Sequence, residues 1–529
     1  MRRDRLALTL GALLVCVYMV TFGGHFYTGD GIEIARTAES IALRGELALP
    51  LIEGERKGGY IGSDGRRYAP YPLGQSLAEV PLIWAAEGLA PMLPLPEHLK
   101  ERLRHAAIVS SNVFICAALC ILIYAFARRL GYGARVAGGL CLILGLGTML
   151  HVYARHDFGD PLASLGLVAA CLLVRRFGDS GRTSDLGWAG FWLGWAIFTK
   201  FQMVIYCPVV WLYLCFVRRE NRALHDGMAR RGPGALARDT AWLAGPVILF
   251  GIADMAVNFA KFGALASTGY DQETSPWAGW THLVTGLYGF LLSPGKSLFL
   301  YNPVLLLWPL GAVWFHRKHR SESALTLGAL GVSLMFFSPL YWWHGDWSWG
   351  PRYLLPVIPL MVLGLAPVLD SALSPLPHRW GRISLRQLLA GLLIAAFAVN
   401  MLGMTVNFFF YLRTLRAQEV FHDDWNFIPG LSPLSFHAHV IVSNIAEWTT
   451  GRPIDYAYRA WSDGRFSEVI IPMEIYSREG KIPDYFFFKP YDTPLEQWTL
   501  GLLGVLFVTL TVFCARAAWR QLRAAEGQP

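Results

Sequence analysis

Apolar residues in this chain come in runs of about 20, the length of helix that crosses a hydrocarbon layer. A backbone in hydrocarbon must satisfy its own hydrogen bonds, so continuous runs of this kind fold there as helices. The runs lie near residues 6–24, 106–127, 136–152, 159–174, 186–199, 201–217, 241–261, 297–315, 323–343, 352–370, 387–410 and 498–515, with a further, ambiguous one at 73–93. Among 529 residues, 54% are hydrophobic and 16% charged, with a mean hydropathy of +0.37. An all-α polytopic membrane protein is predicted. The first run follows Met1-Arg2-Arg3-Asp4-Arg5 and has the outline of a secretion signal. Gly23-Gly24-His25-Phe26 is a poor cleavage site and many runs follow, so it reads as a retained first helix.

Charge placement sets the orientation. If 73–93 lies on the surface, the basic segments around Arg5, Arg128, Arg175, Arg218, Arg317, Arg382 and Arg516 all fall on the side of the N-terminus. If 73–93 spans, the N-terminal arginines oppose every other basic loop. The positive-inside rule therefore predicts about twelve transmembrane helices with both ends cytoplasmic. Leu73, Leu77, Val80 and Trp84 keep helical spacing while Gln75, Glu79 and Glu87 interrupt the apolar surround, which suits an amphipathic juxtamembrane helix. Residues 25–105, 153–158, 262–296 with 344–351, and 411–497 become external. This divides the chain into a transmembrane core at 1–410, a small external cap at 411–497 and a last span with cytoplasmic tail at 498–529. The expected location is a bacterial inner membrane with the site facing outward.

The net charge of +8 does not indicate nucleic acid, because the basic residues sit in short loops between spans. All eight cysteines fall inside apolar runs, where they fill space. The absence of an internal repeat weakens a reading as a repeat-built transporter.

The external segments hold the polar residues suited to chemistry. Asp30 and Glu33 open a helix in which Ile34, Ala38 and Ile41 recur at helical spacing and Gly45 supplies a stop. Asp followed three residues later by Glu is a capping box, and Asp30 just beyond the first span is also placed to act as a carboxylate base. In Tyr153-Ala154-Arg155-His156-Asp157-Phe158-Gly159-Asp160-Pro161, Pro161 fits the first turn of a helix and Asp160 its cap. A cap needs one carboxylate and this turn has two. Lys200, between two apolar runs, is either a snorkelling lysine or a partner for a lipid phosphate. Tyr341-Trp342-Trp343-His344-Gly345-Asp346-Trp347-Ser348-Trp349-Gly350-Pro351-Arg352-Tyr353 exceeds an ordinary aromatic belt in holding His344, Asp346 and Arg352 among its rings. Arg352 suits a phosphate and the indoles a sugar face. Ser293-Pro294-Gly295-Lys296-Ser297 fails as a P-loop, since Phe290 stands where Gly is required. It starts a helix, with Lys296 as a surface cation. Asp254, Asn258 and Lys261 form a polar set within the seventh span, facing the protein interior. No motif predicts a metal or other cofactor.

Taken in order, these features resemble the GT-C membrane glycosyltransferases, above all the branch with the protein O-mannosyltransferases and the lipid A aminoarabinose transferase. The resemblance rests on Gly29-Asp30-Gly31-Ile32-Glu33-Ile34-Ala35 after the first span, Tyr68-Ala69-Pro70-Tyr71-Pro72-Leu73, the step Asp160-Pro161, the turn Thr199-Lys200 and Gly350-Pro351-Arg352-Tyr353. It covers about the first 370 residues. It implies a GT-C-type fold and transfer of a sugar from a polyprenyl phosphate to an acceptor hydroxyl on a glycan, lipid or protein, with Asp30 as base and Asp160 as a second carboxylate. The aminoarabinose branch has Lys before the proline that aligns with Pro72, where this chain has Tyr71. The donor phosphate is then expected at Arg352, His344, Lys200, Arg67 and Tyr68, and the rest of the substrates at Glu33, Tyr71, Asp157, Trp343, Asp346 and Trp347. The rival class is a transporter or flippase of lipid-linked sugars, which would bind the same groups without breaking a bond.

Overall fold

A computed structural model of the chain describes residues 4–50, 58–224, 233–269, 281–345, 348–376, 378–380, 383–417, 422–462, 465–471, 473, 482–488, 491 and 493–525. The first helix, α1 (Arg5–Val20), is capped by Asp4, whose Oδ1 accepts from the Leu6 and Ala7 amides at 3.2 and 3.3 Å. Its Leu6, Leu10, Leu13 and Leu14 turn inward. Helix α2 (Gly29–Arg44) stops at Gly45, φ +68°, as the sequence predicts. A short hairpin, β1 (Tyr60–Ile61) with β2 (Arg67–Tyr68), leads to α3 (Gly74–Leu89) and α4 (Glu97–Val109). Then come α5 (Ser111–Arg129), α6 (Ala134–Gly147), the single turn α7 (Leu150–Tyr153), α8 (Asp160–Ser180), α9 (Thr183–Thr199), α10 (Cys207–Leu224) and α11 (Pro233–Phe262).

The second half holds α12 (Thr281–Leu292), α13 (Leu298–Tyr301), α14 (Trp308–Lys318), α15 (Arg320–Phe337), α16 (Ile358–Leu363) and α17 (Ala366–Leu373). A second short hairpin, β3 (Arg379–Trp380) with β4 (Ile383–Ser384), precedes α18 (Leu385–Thr405). The chain finishes with α19 (Phe408–Ala417), α20 (His422–Phe427), α21 (Pro433–Thr450), the antiparallel pair β5 (Tyr456–Ser462) and β6 (Arg465–Ile471), and α22 (Pro494–Ala524).

The protein is an integral membrane protein built of helices. Among the described residues, six helical stretches are long and apolar enough to cross a membrane: Glu97–Arg129, Asp160–Ser180, Phe201–Glu220, Gly234–Phe262, Leu385–Thr405 and Pro494–Ala524. Shorter apolar helices include Arg5–Val20, Ala134–Gly147 and Ile358–Leu373. The apolar runs are largely helical, but several are interrupted, among them 136–152 at Thr148-Met149, between α6 and α7, and 387–410 at Val406-Asn407, between α18 and α19. Run 297–315 breaks at Asn302-Pro303, where proline supplies no amide donor. Asn302 makes good the break, its Nδ2 donating to Leu298 O at 2.9 Å and its Oδ1 accepting from the Met149 amide at 2.9 Å. Run 352–370 breaks between α16 and α17 at Gly364, just ahead of Pro367. Helix α12 is an apolar element in a segment, 262–296, that the charge rule predicts to be external. At 12 residues it is about 18 Å long, too short to cross a core about 30 Å thick.

The core is layered. Helix α8 lies between α5, α9 and α10, α9 packs on α11, and α1 is flanked by α5 and α22. Helices α2 and α3 pair in the first loop, close to the end of α9. In α3 the polar residues point inward: buried Gln75 donates from Nε2 to Glu79 Oε1 at 2.9 Å and to Ser111 Oγ at 3.3 Å, while Trp84 and Leu89 are exposed. A juxtamembrane helix with an apolar outer face has this distribution. The 411–497 segment is tied to the core rather than hinged from it. Helix α21, capped by Ser432 with Pro433 in its first turn, packs on α18. Farther on, the amides of Asp484 and Phe486 donate to Thr405 O and Phe22 O at 2.9 and 2.6 Å.

Candidate active site

The first turn of α2 assigns roles differently from the predicted capping box. Thr28 is the cap, its Oγ1 accepting from the Gly31 amide at 2.9 Å. Asp30 is thereby left outside the capping and points its carboxylate elsewhere. Oδ1 accepts from the Tyr71 hydroxyl at 2.9 Å, and Oδ2 faces Arg352 Nη1 at 3.4 Å. Its side chain keeps 39% of its exposure, so it is held and yet reachable. Glu33 does not close a box. Its Oε1 accepts from the Gly59 amide at 2.8 Å, and burial raises its carboxyl above the usual value.

Asp160 is likewise not a cap. Gly159 holds that position in α8, Pro161 sits in the first turn as predicted, and no side chain caps the helix. The buried Asp160 carboxylate instead reaches Lys200 Nζ at 2.8 Å, with Lys200 in the turn after α9. Burial lowers the Lys200 ammonium from its usual value, and Asp160 opposes that shift. Arg352 lies over the Phe158 ring at 4.5 Å and the Tyr353 ring at 5.3 Å. Both rings restrict its rotamers and hold the guanidinium toward Asp30.

These groups share one cavity of about 190 Å³. Asp30, Tyr71, Lys200 and Arg352 line it, with Pro70, Pro72, Phe158, Gln202, Asp254, Asn258 and Tyr353 among the other walls. Asp30, Pro70, Tyr71, Pro72 and Phe158 belong to segments that the charge rule predicts to be external, while Asp254 and Asn258 belong to the span that precedes Phe262. Close packing brings them together: a Cβ on Gly74 would overlap the backbone of Phe198 and Thr199, so the start of α3 abuts the end of α9 only as glycine. Lys261, on the buried side of α11, donates from Nζ to Ala69 O at 3.0 Å and Tyr71 O at 2.9 Å, fixing the loop that carries Tyr71.

Asp157 stands one layer behind. It accepts from the Tyr27 amide at 3.2 Å and the Thr28 hydroxyl at 3.4 Å, and burial pushes its carboxyl up to about 7. A Cβ on Gly31 would overlap this carboxylate, which explains the glycine after Asp30. Neither Asp157 nor Glu33 lines the cavity.

Several predicted ligands lie elsewhere. Arg67 donates to Gly58 O at 3.4 Å and Gly59 O at 2.8 Å, and Tyr68 to Asp64 Oδ2 at 2.8 Å, so both hold the first hairpin loop. Arg66 pairs with Asp64 and Glu46. Trp343 is buried against Phe290 and Phe427, and His344 beside Trp342 and Trp343; neither reaches the cavity. Asp346 and Trp347 lie outside the described residues. Lys296, predicted as a surface cation, is buried and donates to Ser348 O at 2.7 Å, because Ser297 caps α13 and turns the preceding lysine inward. Asn112 belongs to no motif in the sequence. Buried in α5, it donates to His156 O and to Phe158 O at 2.8 Å, holding the loop that carries Asp157 and Phe158. An asparagine in an apolar run was the available signal.

Residues 102–229 match the family model described as dolichyl-phosphate-mannose-protein mannosyltransferase. That stretch supplies Asp157, Asp160 and Lys200, and the match bears out the resemblance read from the sequence. No curated protein gives a significant match. Among solved structures the chain is similar to ArnT from Cupriavidus metallidurans bound to undecaprenyl phosphate, at 15% identity over 83% of this chain and 68% of that one, TM-score 0.47. The apo state of the same protein gives 14% identity over 84% and 69%, TM-score 0.45. Arabinosyltransferase EmbB from Mycobacterium smegmatis gives 13% identity over 84% and 41%, TM-score 0.41.

Proposed function

We propose that the protein is an inverting glycosyltransferase that moves a sugar from a polyprenyl-phosphate donor to an acceptor hydroxyl at the external membrane surface. The observation that carries this reading is the cavity itself, where a reachable carboxylate, Asp30, stands beside the cations Arg352 and Lys200. Its 190 Å³ is below the roughly 300–1,000 Å³ of a pocket that encloses a whole drug-sized ligand. A sugar and its phosphate fit such a space with the prenyl chain left in the bilayer. The family description of the 102–229 match, which names a lipid-phosphate mannose donor, supports the donor class.

The chemistry is one displacement. Asp30 takes the proton of the acceptor hydroxyl as its oxygen bonds the anomeric carbon; the bond from that carbon to the phosphate oxygen breaks, and its electron pair leaves with the polyprenyl phosphate. A single displacement inverts the anomeric centre. Tyr71 and Arg352 orient the base through one hydrogen bond to each of its oxygens. Arg352 and Lys200 neutralise charge growing on the leaving phosphate, a contribution that increases toward the transition state. Asp160 positions Lys200. Proton transfer to a placed base contributes about 10²–10⁴-fold in rate, and the remainder falls to orientation and electrostatics.

The test is to incubate purified protein with radiolabelled polyprenyl-phosphate mannose, glucose and aminopentose in the presence of an acceptor extract from the host membrane. Release of free polyprenyl phosphate with label moving to the acceptor is expected from at least one donor. Donors that cross the bilayer but stay intact would instead identify a flippase.

A further inference from the structure

One wall of the cavity has no part in the chemistry above. Asp254 and Asn258, four residues apart on α11, both line it. They share a stripe with Lys261, whose bonds to Ala69 O and Tyr71 O show that this face of α11 looks toward the Tyr71 loop. The opposite face, with Ile248, Leu249, Ile252, Met255 and Phe259 exposed, looks outward.

The depth of the pair follows from helix register. Gly190 of α9 sits against Leu243 O and Pro246, Gly194 against the Phe250 ring, and the Phe198 ring lies tilted against that of Phe250 at 5.7 Å between centroids. Carried forward, that register sets Asp254 level with the end of α9 and Lys200. Helix α11 then continues about 12 Å past that level to Phe262. The carboxyl is therefore at the depth of the cations and not above them in solvent. Only 6% of Asp254 is exposed, and its Oδ1 meets no hydrogen-bond donor among the described residues. Lys261, the nearby cation on the same stripe, gives its hydrogen bonds to Ala69 O and Tyr71 O, and an acceptor held so deep without a hydrogen-bond donor is costly unless a ligand supplies one. A phosphate does not, because it carries the same charge and no hydrogen to give. Hydroxyl or amino groups on a sugar ring do. Asn258, 8% exposed, adds an amide one turn away that both donates and accepts.

We propose that Asp254 and Asn258 form the subsite that recognises the hydrogen-bonding groups of the transferred sugar, opposite the phosphate end of the cavity at Lys200 and Arg352. The assignment rests on the donor class given above. It divides the cavity by charge: cations grip what is common to every donor, and the α11 pair reads what differs between them. Asp254 and Asn258 are then specificity residues, and Asp254 in particular discriminates sugars by whether a donor group reaches Oδ1.

The test compares binding of unsubstituted polyprenyl phosphate with binding of the mannosyl, glucosyl and aminopentosyl lipids, for detergent-purified wild type, Asp254→Leu, Asp254→Asn and Lys200→Met. Wild type should bind one glycosylated lipid more tightly than bare polyprenyl phosphate. Asp254→Leu should keep its affinity for bare polyprenyl phosphate and lose about tenfold or more of the sugar preference, the equivalent of one buried hydrogen bond. Asp254→Asn, which keeps an acceptor, should lose less or prefer a different sugar, and it covers the case in which leucine prevents folding. Lys200→Met should weaken all four lipids together. The inference fails if both Asp254 variants keep the full sugar preference or lose all lipids equally. If wild type binds none of the lipids, the donor class itself is wrong and this subsite falls with it.

Discussion

At the scale of single residues, the site turns on which side chain takes a structural task and which is left over. Thr28 caps α2, so the Asp30 carboxylate is not spent on backbone amides. Asp157, tucked under Gly31, and Glu79, under Ser111, are carboxyls that burial pushes up to about 7 and about 8. Between pH 6.5 and 8 such groups are ionised in the unfolded chain but still partly protonated when folded. The unfolded state binds fewer protons there, so stability falls as pH rises through this window and goes on falling until Glu79 too is ionised in the folded protein. Thermal unfolding followed by tryptophan fluorescence should show a lower Tm at pH 8 than at pH 6.5. The decrease should be smaller in Asp157→Asn with Glu79→Gln, which keep the neutral shape. An equal pH slope in the double variant would show that these carboxyls are charged in the folded protein.

At the scale of elements, side chains at helix ends and in loops decide the geometry. The loop after α7 is held from one side by Asn112 and from the other by Arg155. Arg155, 1% exposed, pairs with Asp484 at 2.8 Å and also donates to the Tyr27 hydroxyl, which in turn donates to Asp484 Oδ2 at 2.9 Å. Tyr27 stacks on His156 at 4.5 Å. This cluster joins the region just ahead of α2, the α7–α8 loop and the 482–488 segment. Removing one partner of a buried pair leaves the other uncompensated, at a cost of about 3–5 kcal/mol. Arg155→Met should therefore lower Tm sharply, and adding Asp484→Asn should recover much of the loss. Additive losses in the double variant would count against the pair as a unit.

The same elements show how far the sequence could be read. The runs of apolar residues marked the helices, Gly45 the stop of α2 and Pro161 the first turn of α8, and Asp30, Tyr71, Lys200 and Arg352 do line one cavity. What periodicity does not contain is facing. Arg67, Tyr68, Trp343 and His344 are types that bind phosphates and sugars, but each is occupied by its own loop or core neighbours. Asp30 and Asp160 both looked like caps, because an Asp ahead of a helical pattern gives the same signal whether or not a neighbour such as Thr28 does the capping. The 254–258–261 stripe was visible as polar residues within a span, and its use required the register between α9 and α11.

At the scale of the whole molecule, a membrane-embedded helical scaffold brings Asp30, Tyr71, Lys200 and Arg352 to one cavity. Residues separated by 322 positions, Asp30 and Arg352, meet because α2 and the segment ahead of α16 are both held against the ends of α8 and α9. Asp30 is proposed as the group that takes the acceptor's proton, with the rest of the site as its support. The most direct measurement is turnover of the preferred polyprenyl-phosphate sugar by purified Asp30→Asn, alongside its Tm and its affinity for polyprenyl phosphate. Asparagine preserves the shape and the bond from Tyr71 but cannot take a proton. An unchanged fold, retained lipid binding and transfer reduced by about 10²-fold or more are expected if Asp30 is the base. Transfer within a few-fold of wild type would contradict it.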